Sequence, residues 1–144
     1  MTQMAKLFRA LADANRLRIV NILSERSICV CDLQSVLDLS QPFISRHLAY
    51  LRRVGLVKDR REGPRVCYSL APNSPVIHAL RAFLRDALST SETFRFDLET
   101  LNNLEMSGRL KSLGVRILSG PADGAAAPVI DEVDTAEDAE ERAA

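Results

Sequence analysis

Two cysteines separated by a single residue are the part of this sequence best suited to ligand chemistry. Cys29 and Cys31 flank Val30, and a third cysteine, Cys67, lies much further along the chain. Thiolate sulfur is a soft donor that prefers As(III), Sb(III), Cd(II), Pb(II) or Zn(II) to hard cations. Two thiols this close together serve no obvious packing purpose, so we interpret Cys29 and Cys31 as ligands of a thiophilic ion.

The spacing of this pair suggests a mechanism. Ser27 can begin a short helix that includes Cys31 and continues to Leu37. Each helical residue turns by roughly 100°, so side chains at positions i and i+2 point about 200° apart. One ion can hold both sulfurs only if the start of the helix unwinds, and ion binding would then oppose any function that needs this helix intact.

Cys67 has different surroundings. It lies between Val66 and Tyr68 on a predicted strand, so its side chain points away from theirs. We do not expect it to reach the cysteine pair, and we predict a small exposed or partly packed residue. A thiol redox or persulfide sensor stays open as an alternative, with Cys29 and Cys31, or Cys31 and Cys67, as a reversible disulfide pair that responds to oxidant without metal.

The cysteines lie within a series of short amphipathic helices. Thr2 is a candidate cap for a first helix that ends near Ala12, and Asp13 for a second that runs to about Glu25. The third helix carries the cysteines, and residues 38–40 interrupt its period. A further helix after that break predicts a helix-turn-helix.

The fourth helix has a face without acidic residues. Ser40 can cap it, and Pro42 is tolerated in its first turn because an N–H there would lack an intrahelical partner. Its apolar stripe consists of Ile44, Leu48 and Leu51. The other faces carry long or hydrogen-bonding side chains: Gln41, Ser45, Arg46, Arg52 and Arg53. Such a face favours contact with phosphates and base edges of DNA.

After Gly55 the apolar period changes to two. Val57 begins a predicted strand, residues 60–64 form a turn, and apolar residues alternate on the return. We therefore predict a mainly α fold with a β-hairpin wing, a winged helix-turn-helix. Three arginines near the tip can lie along a DNA backbone: Arg60, Arg61 and Arg65.

The C-terminal half begins with another helix. Ser74 can cap this fifth helix, which has more apolar surface than a small domain can cover, so we expect dimerisation to bury it. A sixth helix is predicted over 91–106, before Gly108. We expect three parts: a winged helix-turn-helix DNA-binding domain at 1–90, an additional C-terminal helix at 91–119 and a disordered acidic tail at 120–144.

The formal net charge of zero conceals an asymmetry. The chain has 19 basic and 19 acidic residues, but from Gly120 onward eight acids face one base. Residues 1–119 therefore carry 18 bases and 11 acids, a charge of +7, against −7 for the tail. A basic body of this kind suits a polyanionic partner such as double-stranded DNA.

Several classes of protein do not fit this sequence. No apolar run approaches the ~20 residues of a membrane span, and the N-terminus lacks a signal-peptide pattern, so we expect a cytoplasmic protein without a membrane partner. Neither of the two histidines falls in a motif that would set it beside a cysteine, and no Gly-rich phosphate loop is present. We therefore expect no enzymatic activity.

Three segments resemble the ArsR/SmtB family of repressors: ALADANRLRI at 10–19, ICVCDL at 28–33 and LSQPFISRHL at 39–48. The resemblance covers roughly residues 4–90. It implies a winged helix-turn-helix homodimer that is joined through its first and last helices and loses operator affinity when metal binds. We expect the protein to need no cofactor for DNA binding.

Carried over by position, the family's DNA contacts fall on the start of the fourth helix and on the wing. They are Ser40, Gln41, Pro42, Ser45 and Arg46, with phosphate contacts from Arg60, Arg61 or Arg65. Glutamine can pair with adenine, and arginine with guanine or with a phosphate, so both roles stay open for Arg46.

The Cys-Val-Cys-Asp-Leu segment resembles that of the family's arsenic(III)-responsive members. Those members have a third cysteine three residues after the second, where this chain has Gln34. The resemblance implies As(III) or Sb(III) as inducer at Cys29 and Cys31, with Cd(II), Pb(II) or Zn(II) as alternatives. As(III) prefers three sulfurs, so Cys67, a partner subunit or a small thiol would have to complete its coordination.

Overall fold

The six predicted helices and the predicted hairpin are all present in the computed structural model, which describes residues 2–72 and 74–112. In chain order the elements are α1 (Gln3–Leu11), α2 (Ala14–Glu25), β1 (Ile28–Cys29), α3 (Val30–Leu37), α4 (Gln41–Arg53), β2 (Val57–Glu62), β3 (Arg65–Leu70), α5 (Pro75–Leu88) and α6 (Glu92–Met106). This confirms the mainly α fold with a β-hairpin wing. The predicted acidic tail, 120–144, lies outside the described residues.

Short polar side chains begin most of these helices. The Thr2 hydroxyl accepts a hydrogen bond from the Ala5 N–H at 3.1 Å, and the Ser74 hydroxyl accepts one from Ile77 at 3.4 Å. Asp13 accepts from the N–H groups of Asn15 and Arg16. Ser40 occupies the predicted cap position of α4 with extended backbone, but its side chain makes no capping hydrogen bond.

Asp13 shows the electrostatics of such a cap. Burial alone would raise the pKa of its carboxyl, but the Arg16 N–H bond, the Arg16 charge and the His47 charge lower that pKa below the usual 3.8. The carboxylate is therefore stabilised in its charged form at the start of α2, where the helix dipole also favours negative charge.

The third helix differs from the prediction. It begins at Val30 rather than Ser27, and Cys29 is its N-cap residue with extended backbone. The preceding residues Ile28 and Cys29 form β1, which joins a three-stranded antiparallel sheet in the order β1-β3-β2. A strand of two residues is too short to show an alternating pattern, so the sequence gives no signal for it.

The wing is longer than predicted. β2 continues to Glu62 and β3 starts at Arg65, so Arg60 and Arg61 lie within a strand and the turn is confined to Gly63 and Pro64. Gly63 adopts a φ of +60°, which glycine reaches without steric cost.

The core consists of leucine, isoleucine and valine side chains from all six helices and the sheet. Arg16 of α2 is also buried, although arginine is a charged residue. Its Nε donates to the Ala10 carbonyl at 2.6 Å, and its guanidinium lies 4.3 Å from the centre of the Tyr50 ring. Arg16 thereby connects the end of α1 to α4.

Large apolar side chains are exposed on three helices. They are Met4 and Phe8 on α1, Phe83 on α5, and Phe96 and Met106 on α6, with exposures between 47% and 88%. Across residues 2–72 and 74–112, no helix has both the length and the apolar character needed to span a membrane.

Candidate functional site

The N-terminal half of α4 presents the polar face expected from the sequence. Ser40, Gln41, Pro42 and Arg46 are exposed and Ser45 is half-buried. The Gln41 amide donates to the Ser45 hydroxyl at 2.8 Å, so these two side chains lie side by side. The opposite stripe of Ile44, Leu48 and Leu51 is fully buried, and this burial fixes the direction in which the polar face points.

The wing holds the other predicted contacts. The side chains of Arg60, Arg61 and Arg65 are all exposed. Arg60 forms an ion pair with Glu62, and Arg65 donates to the Lys111 carbonyl. Within the described part of the chain, no ion pair is formed by Arg46 or Arg61. These two guanidinium groups are therefore available for a polyanion.

The end of α4 is linked to the wing. Arg52 Nη1 lies 3.3 Å from Asp59 Oδ2, and both side chains are about half exposed. This pair contributes little stability at the surface, but it joins the polar helix face and the arginine-bearing strand into one surface.

A cluster of thiol and carboxylate groups lies at the base of the wing. Cys29 on β1 pairs with Cys67 on β3, and Arg60 on β2 pairs with Cys67 from the other side. Glu62 follows Arg60 by two residues, so its side chain is on the same face of the sheet. The ligand atoms of Cys29, Glu62 and Cys67 lie within 4.8 Å of one another.

Cys29 and Cys67 are joined as a disulfide. Both residues are buried, at 0% and 2% exposure, and the Cys67 Sγ lies 3.5 Å from Glu62 Oε2. The expectation that Cys67 is a small exposed or partly packed residue that does not reach the pair is therefore wrong. It was wrong because the strand that brings Cys29 opposite Cys67 was not predicted.

Cys31 lies apart from this cluster. It is the second residue of α3, is half-buried and has a free thiol. Cys29 precedes the helix as its cap, so the two residues are not both held in regular helix as the sequence interpretation assumed. Cys29 precedes the first turn of α3 and Cys31 lies within it, so any ion bound by both would act on that turn.

A segment after α6 closes over the start of α3. The buried Asp32 carboxylate accepts hydrogen bonds from the N–H groups of Lys111 and Ser112, at 2.9 and 2.6 Å, and from the Ser112 hydroxyl. That hydroxyl oxygen accepts the Cys29 N–H at 2.8 Å. We call residues 109–112 the strap. Sequence patterns gave no indication of it, because its bonds join groups about 80 residues apart.

Two ion pairs hold α6 against α2 and the residue that follows it. Arg18 donates to both oxygens of Asp97, at 2.8 and 3.0 Å, and Asp97 is fully buried. The hydrogen bond to Asp97 raises the pKa of Arg18. Arg26 pairs with Glu105 at 2.9 Å. These contacts position the strap that follows α6.

Comparison with known proteins identifies relatives of part of this chain. The family model described as bacterial regulatory protein, arsR family, matches residues 13–59. The arsenical resistance operon repressor of Escherichia coli strain K12 is 56% identical over 71 residues, which cover 49% of this chain and 61% of that protein. A cadmium resistance transcriptional regulatory protein CadC homolog of Staphylococcus aureus is 43% identical over 67 residues, covering 46% and 55%.

A solved structure covers more of the fold. Reduced HlyU from Vibrio cholerae N16961 superposes with a TM-score of 0.57 at 36% identity, covering 61% of this chain and 90% of that one. The chain spans less than two thirds of the length of the two curated relatives. Both of them are transcriptional regulators, in agreement with the expectation that the chain is not an enzyme.

Proposed function

The chain belongs to the ArsR family of bacterial regulatory proteins, and from this premise we propose that it is a transcriptional repressor that binds operator DNA as a homodimer. The observation that carries the proposal is the acid-free face of α4 next to an arginine-bearing wing. We assign DNA binding to residues 1–90, an additional helical segment to 91–119 and an acidic tail to 120–144, in a protein that acts in the cytoplasm.

The DNA contacts follow from what is exposed. A helix that enters the major groove reads base edges with its N-terminal residues, while a wing follows the backbone. We assign base or nearby phosphate contacts to Ser40, Gln41, Pro42, Ser45 and Arg46. Phosphate contacts are assigned to Arg60, Arg61 and Arg65. The free guanidinium groups of Arg46 and Arg61 carry the largest share in this assignment.

The exposed apolar residues support the dimer. A soluble chain rarely leaves several large apolar side chains on neighbouring helices open to water unless a partner covers them. Phe8 on α1, Phe83 on α5 and Phe96 on α6 meet this description. A two-fold partner that packs against α1, α5 and α6 would remove them from water.

The inducer in this proposal is a thiophilic ion at Cys29 and Cys31, As(III) or Sb(III) first and Cd(II), Pb(II) or Zn(II) as alternatives. The arsenical and cadmium relatives support a soft inducer. Cys29 caps α3 and Cys31 lies in its first turn, so an ion held by both sulfurs would distort the helix that packs against α4. Cys29 must be in the thiol form for this to occur.

The disulfide favours redox sensing as a second candidate function. In that mechanism the thiols of Cys29 and Cys67 lose two electrons and two protons to a peroxide, which is reduced to water, and one S–S bond forms. This Cys29/Cys67 pair is neither of the two disulfide pairs considered from the sequence, Cys29/Cys31 and Cys31/Cys67. The new bond would fix β1 to β3 and so link the start of α3 to the wing.

The test is DNA binding by fluorescence anisotropy, with duplexes selected from a random pool. Full-length protein is titrated under reducing conditions with As(III), Sb(III), Cd(II) and Zn(II), and separately with peroxide. Release by As(III) that is lost in Cys29→Ser/Cys31→Ser supports the metalloid mechanism. Release by peroxide alone that is lost in Cys67→Ser supports the redox mechanism. Absence of DNA binding would overturn the repressor proposal itself.

A further inference from the structure

We propose that Cys29, Cys67 and Glu62, once the two sulfurs are reduced, form a binding site for a divalent thiophilic cation at the base of the wing. The inference deepens the proposed function and rests on it, since it assigns a second class of effector to the same thiol centre. It differs from the Cys29/Cys31 site in two of its three ligands. It also lies between strands rather than on one helix.

Strand register brings the three groups together. Cys29 and Cys67 are direct partners across β1 and β3, and Arg60 is the direct partner of Cys67 on β2. Directly opposed residues share a face of a sheet, as do residues two apart on one strand. Glu62 therefore points to the side on which the sulfurs lie, and its Oε2 is 3.5 Å from the Cys67 Sγ.

The donor set indicates the ion. Two thiolates and one carboxylate match the sulfur and oxygen ligands that Zn(II) and Cd(II) accept, with water in a fourth position. A trivalent metalloid that needs three sulfurs would not be satisfied here. Each thiol gives its proton to water when the metal–sulfur bond forms. The Cys29–Cys67 disulfide must be reduced before metal binds. A phosphine reductant supplies two electrons and becomes the phosphine oxide, while one water molecule provides its oxygen and the protons of the two thiols.

The surroundings suit a divalent charge. Arg60 is bonded to the Glu62 Oε1, leaving Oε2 toward the sulfurs. A divalent ion and the Arg60 guanidinium together balance two thiolates and one carboxylate, so the filled site is neutral. Neutrality matters because both cysteines are buried, where uncompensated charge is costly. Glu62 is only partly buried and provides the side from which an ion enters.

The filled site would join the wing to the start of α3. β1 leads directly into α3, and β2 carries Arg60 and Arg61. An ion shared by β1, β2 and β3 therefore links the elements that position the proposed DNA contacts. Any change in DNA affinity that the ion causes must appear equally as a change in ion affinity when DNA is bound.

The experiment titrates reduced full-length protein with Cd(II) in the absence of DNA, following the thiolate-to-cadmium charge-transfer absorption against a competing chelator. We expect Cys67→Ser to weaken Cd(II) binding by more than about tenfold and Glu62→Gln by about tenfold. Cys31→Ser should keep the charge-transfer band, and the control Glu99→Gln should match wild type. Glu62 is partly exposed, so Glu62→Gln tests the site even if Cys67→Ser fails to fold.

Cd(II) affinity that is lost in Cys31→Ser and unchanged in Glu62→Gln would overturn the proposal, because the ion would then sit on Cys29 and Cys31. Failure of the repressor proposal would have a different signature. Duplex DNA would not bind to any variant, while the Cd(II) titrations would keep the order given above.

Discussion

The buried Asp32 carboxylate and the Ser112 side chain and backbone N–H are hydrogen bonded to each other across 80 residues of sequence. The same Ser112 oxygen accepts the N–H of Cys29, so one hydroxyl connects the C-terminal strap to the cap of α3. The thiol-bearing turn is therefore held both by the sheet and by the strap. A ligand that moves this turn must also break or shift the strap.

Ser112→Ala should lower the free energy of unfolding by about 1–3 kcal/mol, because it leaves the Cys29 N–H without its acceptor and removes a donor to Asp32. The measurement is urea unfolding, in which the midpoint should fall while the slope of free energy against urea concentration stays unchanged. Ser107→Ala is the matched control, since that exposed hydroxyl bonds only the nearby Leu104 carbonyl. Equal midpoints for the two variants would mean that the Ser112 hydroxyl contributes no stability.

Asp13→Ala should lower the free energy of unfolding by about 1 kcal/mol, because the side chain caps two N–H groups of α2. Asp13→Asn keeps a capping oxygen but not the charge. The lowered pKa of Asp13 means that its carboxylate stabilises the fold above the unfolded value of 3.8 and loses this effect as pH falls through the folded value. The stability gap between wild type and Asp13→Asn should narrow below about pH 4. A pH-independent gap would contradict this origin.

Sequence patterns predicted elements wherever several residues repeated a period. α2 and α5 each had an apolar stripe and a polar cap, Asp13 and Ser74, and both were confirmed. The polar face of α4 was predicted in the same way, because burial of the apolar stripe through Ile44 and Leu48 leaves the opposite side of the helix exposed. Local signals of this kind depend on neighbours within one or two turns.

The thiol cluster could not be predicted in that way. Its geometry depends on the two-residue strand β1 and on its register with β3, where Cys29 meets Cys67. Glu62 was assigned to a turn, and only the longer β2 places it on the face of Cys67. Contacts between strands distant in sequence are set by tertiary pairing, for which one sequence carries no local signal.

Phe83→Glu should shift the protein from dimer to monomer. The ring is exposed on α5 in a single chain, so the substitution should leave the fold intact. In the dimer the loss of the buried ring should weaken the free energy of association by about 2 kcal/mol, which is at least about tenfold in dimer affinity. Sedimentation velocity over a range of concentrations measures this. Ser35→Glu adds the same charge at another exposed helical position and should remain dimeric. An unchanged dimer in Phe83→Glu would place the interface elsewhere.

Arg46→Ala should weaken binding to selected duplex DNA by about 1–3 kcal/mol, which is roughly 5- to 150-fold. The guanidinium is exposed on the N-terminal half of α4, beside Gln41 and Ser45. If Arg46 reads a guanine, the variant loses discrimination at one base pair. If it binds a phosphate, affinity falls uniformly and the slope of log affinity against log salt decreases by about one.

Arg109→Ala removes the same charge from an exposed position beyond α6 and should bind like wild type. Anisotropy titrations at several salt concentrations distinguish these cases, and equal affinities for Arg46→Ala and Arg109→Ala would remove α4 from the DNA interface.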